Sequence, residues 1–295
     1  MTAVCSIISR KIFANLTMHR NITFKRMTLD FYQFIRAQKA ATRLLGAQFH
    51  RSRRFVEIDI TYRCNLKCNN CNRSCTQAPS KTDMPLETIE SFLNQSLSRG
   101  IKWQRIRILG GEPTLHPQLV SILQMLLAYK SMHNPGVRIV LCTNGAGKYV
   151  AKVLAKLPEG VVIKSTAKAR RQRLFRPFNL APVDSVRYRF ADFTAGCRIL
   201  SDCGLGLTPS GYYACAVAGG IDRVFGRNMG SIDIPDDDDD MRDQMNVFCR
   251  LCGHFGFQWP TRRQKTSNSW KIAYRSFRNR HPGSGSTKSV NTAFT

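Results

Sequence analysis

No window of the 295-residue chain reaches the ~18 uninterrupted apolar residues that a membrane-spanning helix needs. Nor does a charged segment lead into a short apolar run and a small-residue cleavage site, so export is not expected and the cytoplasm is the expected compartment. Acidic residues are scarce: 19 Asp and Glu stand against 45 Lys and Arg, and the first 29 residues hold none. The net charge of +26 therefore predicts an anionic partner, whether an anionic small-molecule substrate, an acidic electron carrier, an acidic peptide or nucleic acid. Charge alone does not choose among them. Cysteine, in contrast, is plentiful at eleven. Without an export signal these thiols stay reduced, which turns the default from disulfides to metal or cluster ligation. A hydrophobic content of 43% is enough for one sizeable core and a smaller appended unit, and excludes disorder throughout.

Residues 1–54 read as a basic, partly disordered extension, with Met18 and Met27 as alternative starts. Within it, Phe31, Phe34, Ile35, Leu44 and Leu45 among many Arg and Lys suggest a basic amphipathic helix over 30–54. From Phe55 the residues alternate apolar and polar to Thr61, the period of a strand. A helix follows the next loop, with Asp83 as its expected N-cap, Pro85 in its first turn, a stripe of Leu86, Ile89, Phe92, Leu93 and Leu97, and Gly100 as its stop. Strands at 105–109, 137–141 and 161–163 alternate with helices at 119–133 and 147–157. This βαβα order predicts an α/β fold in which parallel strands are joined by right-handed crossovers, as in a (β/α) barrel or part of one. The barrel is expected over 55–190, a cysteine-rich unit over 191–260, and a basic helix around Trp270 to Phe277 with a disordered Gly/Ser/Thr-rich tail over 261–295. The run Asp236 to Asp240 reads as a solvated loop or linker.

Cys64, Cys68 and Cys71 form a C-x3-C-x2-C run just after the first strand. Three thiolates on a 4Fe-4S cluster leave one iron open to a small molecule, whereas a structural zinc site closes with four ligands. Cys75 would close the set, but the spacing is not that of ferredoxins, and it reads as a spare thiol. The second strand ends in Gly110-Gly111-Glu112-Pro113, at the strand end where α/β folds place ligands, and two glycines let backbone approach a ligand closely. Thr143-Asn144-Gly145 closes the third strand.

The order and spacing of these motifs resemble the radical S-adenosylmethionine superfamily. The resemblance implies that Cys64, Cys68 and Cys71 hold the cluster, that S-adenosylmethionine occupies the open iron, and that Gly110, Gly111, Glu112 and Pro113 receive its methionine end, with Asn144 and Ser165 as further contacts. Asn70 stands where the family usually has an aromatic residue. The family's partial barrel has six strands, so one or two lie hidden in 166–196, with Arg187 to Phe190 as the candidate, or the barrel is shortened.

Cys197, Cys203, Cys215, Cys249 and Cys252, around a hairpin of 205–209 and 212–217, resemble the SPASM and twitch extensions, the twitch domain of the 2-deoxy-scyllo-inosamine dehydrogenase type in particular. That resemblance implies an auxiliary 4Fe-4S cluster on four of the five, with Cys197, Cys215, Cys249 and Cys252 favoured, while zinc remains the alternative. It further implies reductive cleavage of S-adenosylmethionine, hydrogen abstraction, and a flavodoxin or ferredoxin as electron donor. The expected reaction is net oxidation of a sugar, aminocyclitol or nucleotide-linked substrate, and no catalytic base is assigned. A peptide-modifying maturase is the alternative, and a non-catalytic nucleic-acid-binding protein the alternative of another class. Glu57, Asp59 and Thr61 share a strand face and read either as a polar barrel interior or as satisfied structural groups. Cys5 and Cys142 read as a tail thiol and a small buried residue.

Overall fold

The computed structural model describes residues 24–166, 175–259, 261 and 265–282. Its centre is a six-stranded sheet of β1 (Phe55–Thr61), β2 (Arg105–Gly110), β3 (Arg138–Thr143), β4 (Val162–Ser165), β5 (Leu205–Thr208) and β6 (Gly211–Tyr213). The order is β4-β3-β2-β1-β5-β6, parallel except for the antiparallel β5–β6 pair. The first four strands fall where the sequence pattern placed them. The fifth does not: Arg187 and Tyr188 lie in a 3₁₀ turn, Val186–Tyr188, with Arg189 and Phe190 in the turn that follows, and the missing parallel strand is β5, which pairs Val56 with Leu205 and Ile58 with Leu207. The hairpin assigned by sequence to the C-terminal unit thus completes the main sheet, so chain on both sides of residue 190 builds one layer.

One face of the sheet is apolar because the alternate residues Val56, Ile58, Ile60, Ile106, Ile108, Ile139 and Leu141 point to it. Helices α3 (Leu86–Ser98) and α4 (Leu119–His133) cover it with Ile89, Phe92, Ile122, Leu123 and Leu126. A short α5 (Lys148–Leu154) connects β3 to β4. The opposite face carries Glu57, Asp59 and Arg107. Beside β5 and β6, α6 (Arg198–Cys203), α7 (Ala216–Phe225), α8 (Arg242–Phe248) and α9 (Asn268–Arg280) follow in the chain, and a second core joins Tyr213, Val217, Ile221, Phe248, Trp270 and Phe277.

Three local expectations change. The N-terminal extension forms not one helix but two, α1 (Phe24–Arg36) and α2 (Lys39–Leu45), separated where Gln38 bridges to Ala191. Asp83 does not cap α3; its carboxylate accepts from the Thr61 hydroxyl at 2.6 Å and pairs with Arg63 at 2.8 Å, and α3 starts after Pro85. Nor is the acidic run a free linker. Arg51 donates to the carbonyls of Asp236 and Asp239, Arg53 pairs with Asp240, and Arg99 pairs with Asp236, so this strap pins the segment entering β1. Cys5 and the tail from 283 lie outside the described residues.

Candidate functional site

The carboxyl end of β1 runs directly into the first cysteine loop, which is closed at its base. Tyr62 N–H donates to Thr82 and Met84 N–H to Ile60, so residues 62–82 leave and return at one point. Inside the loop, the Leu66 N–H reaches Cys64 Sγ at 3.5 Å and the Cys75 N–H reaches Cys71 Sγ at 3.4 Å. Burial raises Cys64, the Leu66 N–H opposes, and Cys71, Cys68 and Glu112 raise it further. The three thiols are thus close enough to resist one another's ionisation, and a bound cation would reverse that resistance. Cys75 is buried beside Cys71, whose sulfur accepts its N–H at 3.4 Å, and its own thiol lies 4.0 Å from the Arg73 carbonyl.

The glycine pair is required by the protein rather than only by a ligand. A Cβ on Gly110, whose φ is +135°, would stand 2.2 Å from the Thr61 carbonyl, and one on Gly111 would stand 2.1 Å from that of Arg63. Gly111 N–H donates to Thr61 and Glu112 N–H to Arg63, each at 2.7 Å. The Gly-Gly-Glu loop is thereby stapled to the backbone that leads into Cys64. Gly111→Ala is expected to cost about 1–3 kcal/mol through this clash, measured by urea unfolding. Gly136→Ala is the control, since nothing lies within 4 Å of its added carbon.

Glu112 is fully buried, and its carboxylate is committed to the protein. It accepts from Thr114 N–H and hydroxyl, from the Thr143 hydroxyl at 2.7 Å and from Asn144 N–H at 2.8 Å. It therefore binds the end of β2 to the end of β3. Pro113 opens the short 3₁₀ turn that follows. Asn144 Nδ2 donates to Asn65 at 2.8 Å and lies 4.0 Å from Cys64 Sγ, while Asn65 donates to the Ala146 carbonyl. Ser165 stands at the end of β4, its hydroxyl against Gly145. All the sequence-assigned residues thus gather at the carboxyl ends of β1 to β4, around the cysteine loop.

Four of the five C-terminal cysteines also converge. Cys197 precedes α6, Cys215 is the N-cap of α7, and Cys249 and Cys252 bracket a 3₁₀ turn after α8. Burial pushes Cys197 up to about 11 and Cys215 up to about 12, the latter with a further contribution from Cys197. Burial raises Cys249 and Cys252 too, and both also feel Cys197 and Cys215. Nearby backbone N–H groups oppose the rise, those of Ile199 and Leu200 at Cys197, Ala218 at Cys215, and His254 and Phe255 at Cys252. Cys203 is not in the group: it lies 3.7 Å from Arg107 and hydrogen-bonds to Glu57. Among the described residues no three His, Cys, Asp or Glu side chains crowd tightly enough for a single metal ion.

Between the two sets lies a buried ionic network, in which Glu57 and Asp59 are the satisfied structural carboxylates that their shared strand face suggested and Arg73 and Arg107 are cations the sequence did not single out. Arg73, two residues past Cys71, donates Nε to Asp59 at 3.0 Å and Nη2 to Glu57 at 3.2 Å, and Arg107 pairs with the other oxygen of Glu57. Burial pushes Asp59 up to about 6 against the pull of Arg73. Glu57 sits below the ordinary range, because Arg73 and Arg107 together outweigh its burial. Cys142 faces this side, near Arg107 and Lys164, and burial raises it to about 11. It is half-buried on the inner face of the sheet rather than lost in the core. Asn70 was also underrated: its amide donates to the Arg176 carbonyl and accepts from Phe178 N–H, both at 2.6 Å, so it anchors the loop just before Cys71.

Curated relatives align over part of the chain. A GTP 3',8-cyclase of Helicobacter pylori is 31% identical over 115 residues, which cover 38% of this chain and 33% of that protein. One from Listeria monocytogenes is 33% identical over 118 residues, covering 39% and 33%. The match therefore spans about a third of the length of these relatives. Among solved structures, BtrN in complex with AdoMet and 2-DOIA aligns with a TM-score of 0.41 at 15% identity, over 74% of this chain and 98% of that one. Streptococcus suis SuiB bound to precursor peptide SuiA aligns with a TM-score of 0.28 at 19% identity, over 54% and 34%. The family model of the radical SAM superfamily matches residues 58–206, from the middle of β1 into β5 and so across the cysteine loop, the glycine loop and the strand ends beside them. The chain belongs to the radical S-adenosylmethionine superfamily.

Proposed function

We propose that this enzyme uses S-adenosylmethionine reductively to abstract hydrogen from an anionic small molecule, such as a sugar, aminocyclitol or nucleotide-linked compound, with net oxidation. The observation that carries the reading is the stapling of the Gly110–Glu112 loop onto the backbone entering Cys64. It joins the part of the site that would hold the cluster to the part that would hold the cosubstrate's amine and carboxylate. When bound, the cluster and S-adenosylmethionine supply a 5′-deoxyadenosyl radical, chemistry that no side chain offers. Cys64, Cys68 and Cys71 would hold the cluster, and the backbone of Gly110 and Gly111 would border the cosubstrate. Glu112 acts as a positioning residue, and Asn144 and Ser165 offer polar contacts beside it.

Cys197, Cys215, Cys249 and Cys252 would hold an auxiliary cluster able to accept an electron, which is what makes an oxidation the favoured outcome. The net charge of +26, with Lys164 exposed on β4 beside Ser165, favours an anionic substrate. The test is anaerobic: iron and sulfide reconstitution, then S-adenosylmethionine with dithionite, and mass spectrometry for 5′-deoxyadenosine. Product is expected, together with about eight irons per chain, four for each thiol set. No product from protein verified to carry iron overturns the reading. About four irons instead of eight removes the auxiliary cluster and, with it, the argument for oxidation.

A further inference from the structure

Helix α1 turns an apolar stripe outward instead of inward. Phe31, 55% exposed, Tyr32 and Ile35 are turned to the surface, while Phe34, stacked beside Phe31 at 6.4 Å, packs edge-on against Tyr188 at 5.3 Å. Phe31 meets Phe257, which meets Trp259, itself 63% exposed. Together with Met27 they line a groove of about 420 Å³, with Arg187 at its wall. The rim is cationic. Lys39 follows α1 as an exposed residue, its backbone tied to the Phe190 carbonyl; the Arg189 guanidinium lies 4.3 Å over the exposed Phe190 ring, and Arg187, also exposed, lines the groove. The one acidic residue of α1, Asp30, is buried and paired with Arg176.

Aromatic residues and arginine around an apolar centre make up a protein-recognition surface. Its placement is specific. Asp30 holds Arg176, the Arg176 carbonyl accepts from Asn70, and Asn70 immediately precedes Cys71. The outward face of α1 is therefore fastened, through two side chains, to the loop that carries the three cysteines.

We infer that the face formed by Phe31, Tyr32, Ile35 and Trp259, rimmed by Lys39, Arg187 and Arg189, docks an acidic one-electron carrier protein of the flavodoxin or ferredoxin kind. The inference rests on the reading of Cys64, Cys68 and Cys71 as cluster ligands. In the step served, the carrier is oxidised by one electron and the centre on those cysteines is reduced by one, with no proton or group transferred. A second copy of this chain fits the face poorly, because a two-fold contact would set the same cations against one another. An acidic carrier complements them and is steered toward them at low salt.

The experiment uses cluster-loaded enzyme and a purified flavodoxin of net negative charge. Affinity is measured by titration calorimetry at about 0.05 M and about 0.3 M salt, and 5′-deoxyadenosine formation is driven either by reduced flavodoxin or by dithionite. Two variants are compared, Phe31→Ser with Trp259→Ser, and Arg187→Glu with Arg189→Glu; all four side chains are exposed, so the fold is retained, as circular dichroism checks. Wild-type affinity is expected to fall at the higher salt. Each variant should bind flavodoxin about tenfold or more weakly and lose the flavodoxin-driven rate in proportion, while the dithionite-driven rate is unchanged. Unchanged affinity and unchanged flavodoxin-driven rate overturn the inference. So does loss, by the same variants, of binding to phosphatidylglycerol vesicles with flavodoxin binding intact, which makes the face a membrane surface. Absence of dithionite-driven product from the wild type overturns the reading of the cysteines instead, and calorimetry still decides whether the face docks the carrier.

Discussion

Cys71→Ala is expected to abolish 5′-deoxyadenosine formation, whereas Cys75→Ala is expected to retain most of it. The two thiols are four residues apart and in contact, so the contrast separates ligand from neighbour. Cys71 Sγ is one of three sulfurs that face one another and already accepts a backbone N–H. Removing it leaves two thiols, too few to retain a cluster with one open iron. The fall should exceed the roughly 100-fold seen when only the outer partners of a metal site are removed. Cys75 is buried, with its thiol turned back toward Cys71 and the Arg73 carbonyl. The Cys71 contact and burial raise its pKa well above the ordinary thiol value. The measurement is product formation alongside iron content and the visible spectrum of each variant. Equal loss in both would make Cys75 a ligand and would close the cluster to a cosubstrate.

Most of the sheet was readable in the sequence because the signals that specify β1 to β4 are local. β1 and β2 alternate at a period of two, β3 and β4 are short apolar runs bounded by turn residues, and the first two helices between them carry stripes of Leu, Ile and Phe. The hairpin strand β5 was also readable, but its pairing with β1 escaped for a physical reason. Leu205-Gly206-Leu207-Thr208 is four residues long, and its central glycine is needed because a Cβ there would meet the Ala216 backbone nitrogen at 2.1 Å. Nothing in those residues says that they pair with β1, some 150 positions earlier. The break between α1 and α2 carries neither Pro nor Gly and is imposed by the bridge from Gln38 to Ala191. The candidate site divides in the same way. Cysteine spacing and the glycine pair are local and could be read directly. The exclusion of Cys203, the anchoring by Asn70 and the commitment of the Glu112 carboxylate to the β3 end depend on partners 30 to 150 residues away.

Arg73 is where that long-range arrangement carries its largest energetic consequence. Replacing it by Leu is expected to destabilise the protein by about 3–5 kcal/mol near neutral pH, the cost of stranding buried charge. Glu57 and Asp59 are both buried on β1, and Arg73 is the partner they share; Arg107 serves only Glu57. The loss should depend on pH in a definite direction. Asp59 has a folded pKa raised to about 6 from its ordinary value near 4, so between these values the folded state binds more protons than the unfolded state. Its burial therefore costs little near pH 4, and the cost grows as the pH rises to about 6 and is complete above it. Glu57, held below its ordinary value, contributes stability above that value and loses it as the pH falls through its folded pKa. Without Arg73 the folded pKa values of both carboxylates rise. At pH 5 the variant can bury Asp59 protonated, whereas at pH 7.5 it must strand a charge or take up a proton against solution. Urea unfolding of the wild type and Arg73→Leu at these two pH values should thus show the larger difference at the higher one. A difference that is the same at both, or larger at pH 5, would mean that Arg73 stabilises the cysteine loop by packing rather than by balancing the two carboxylates.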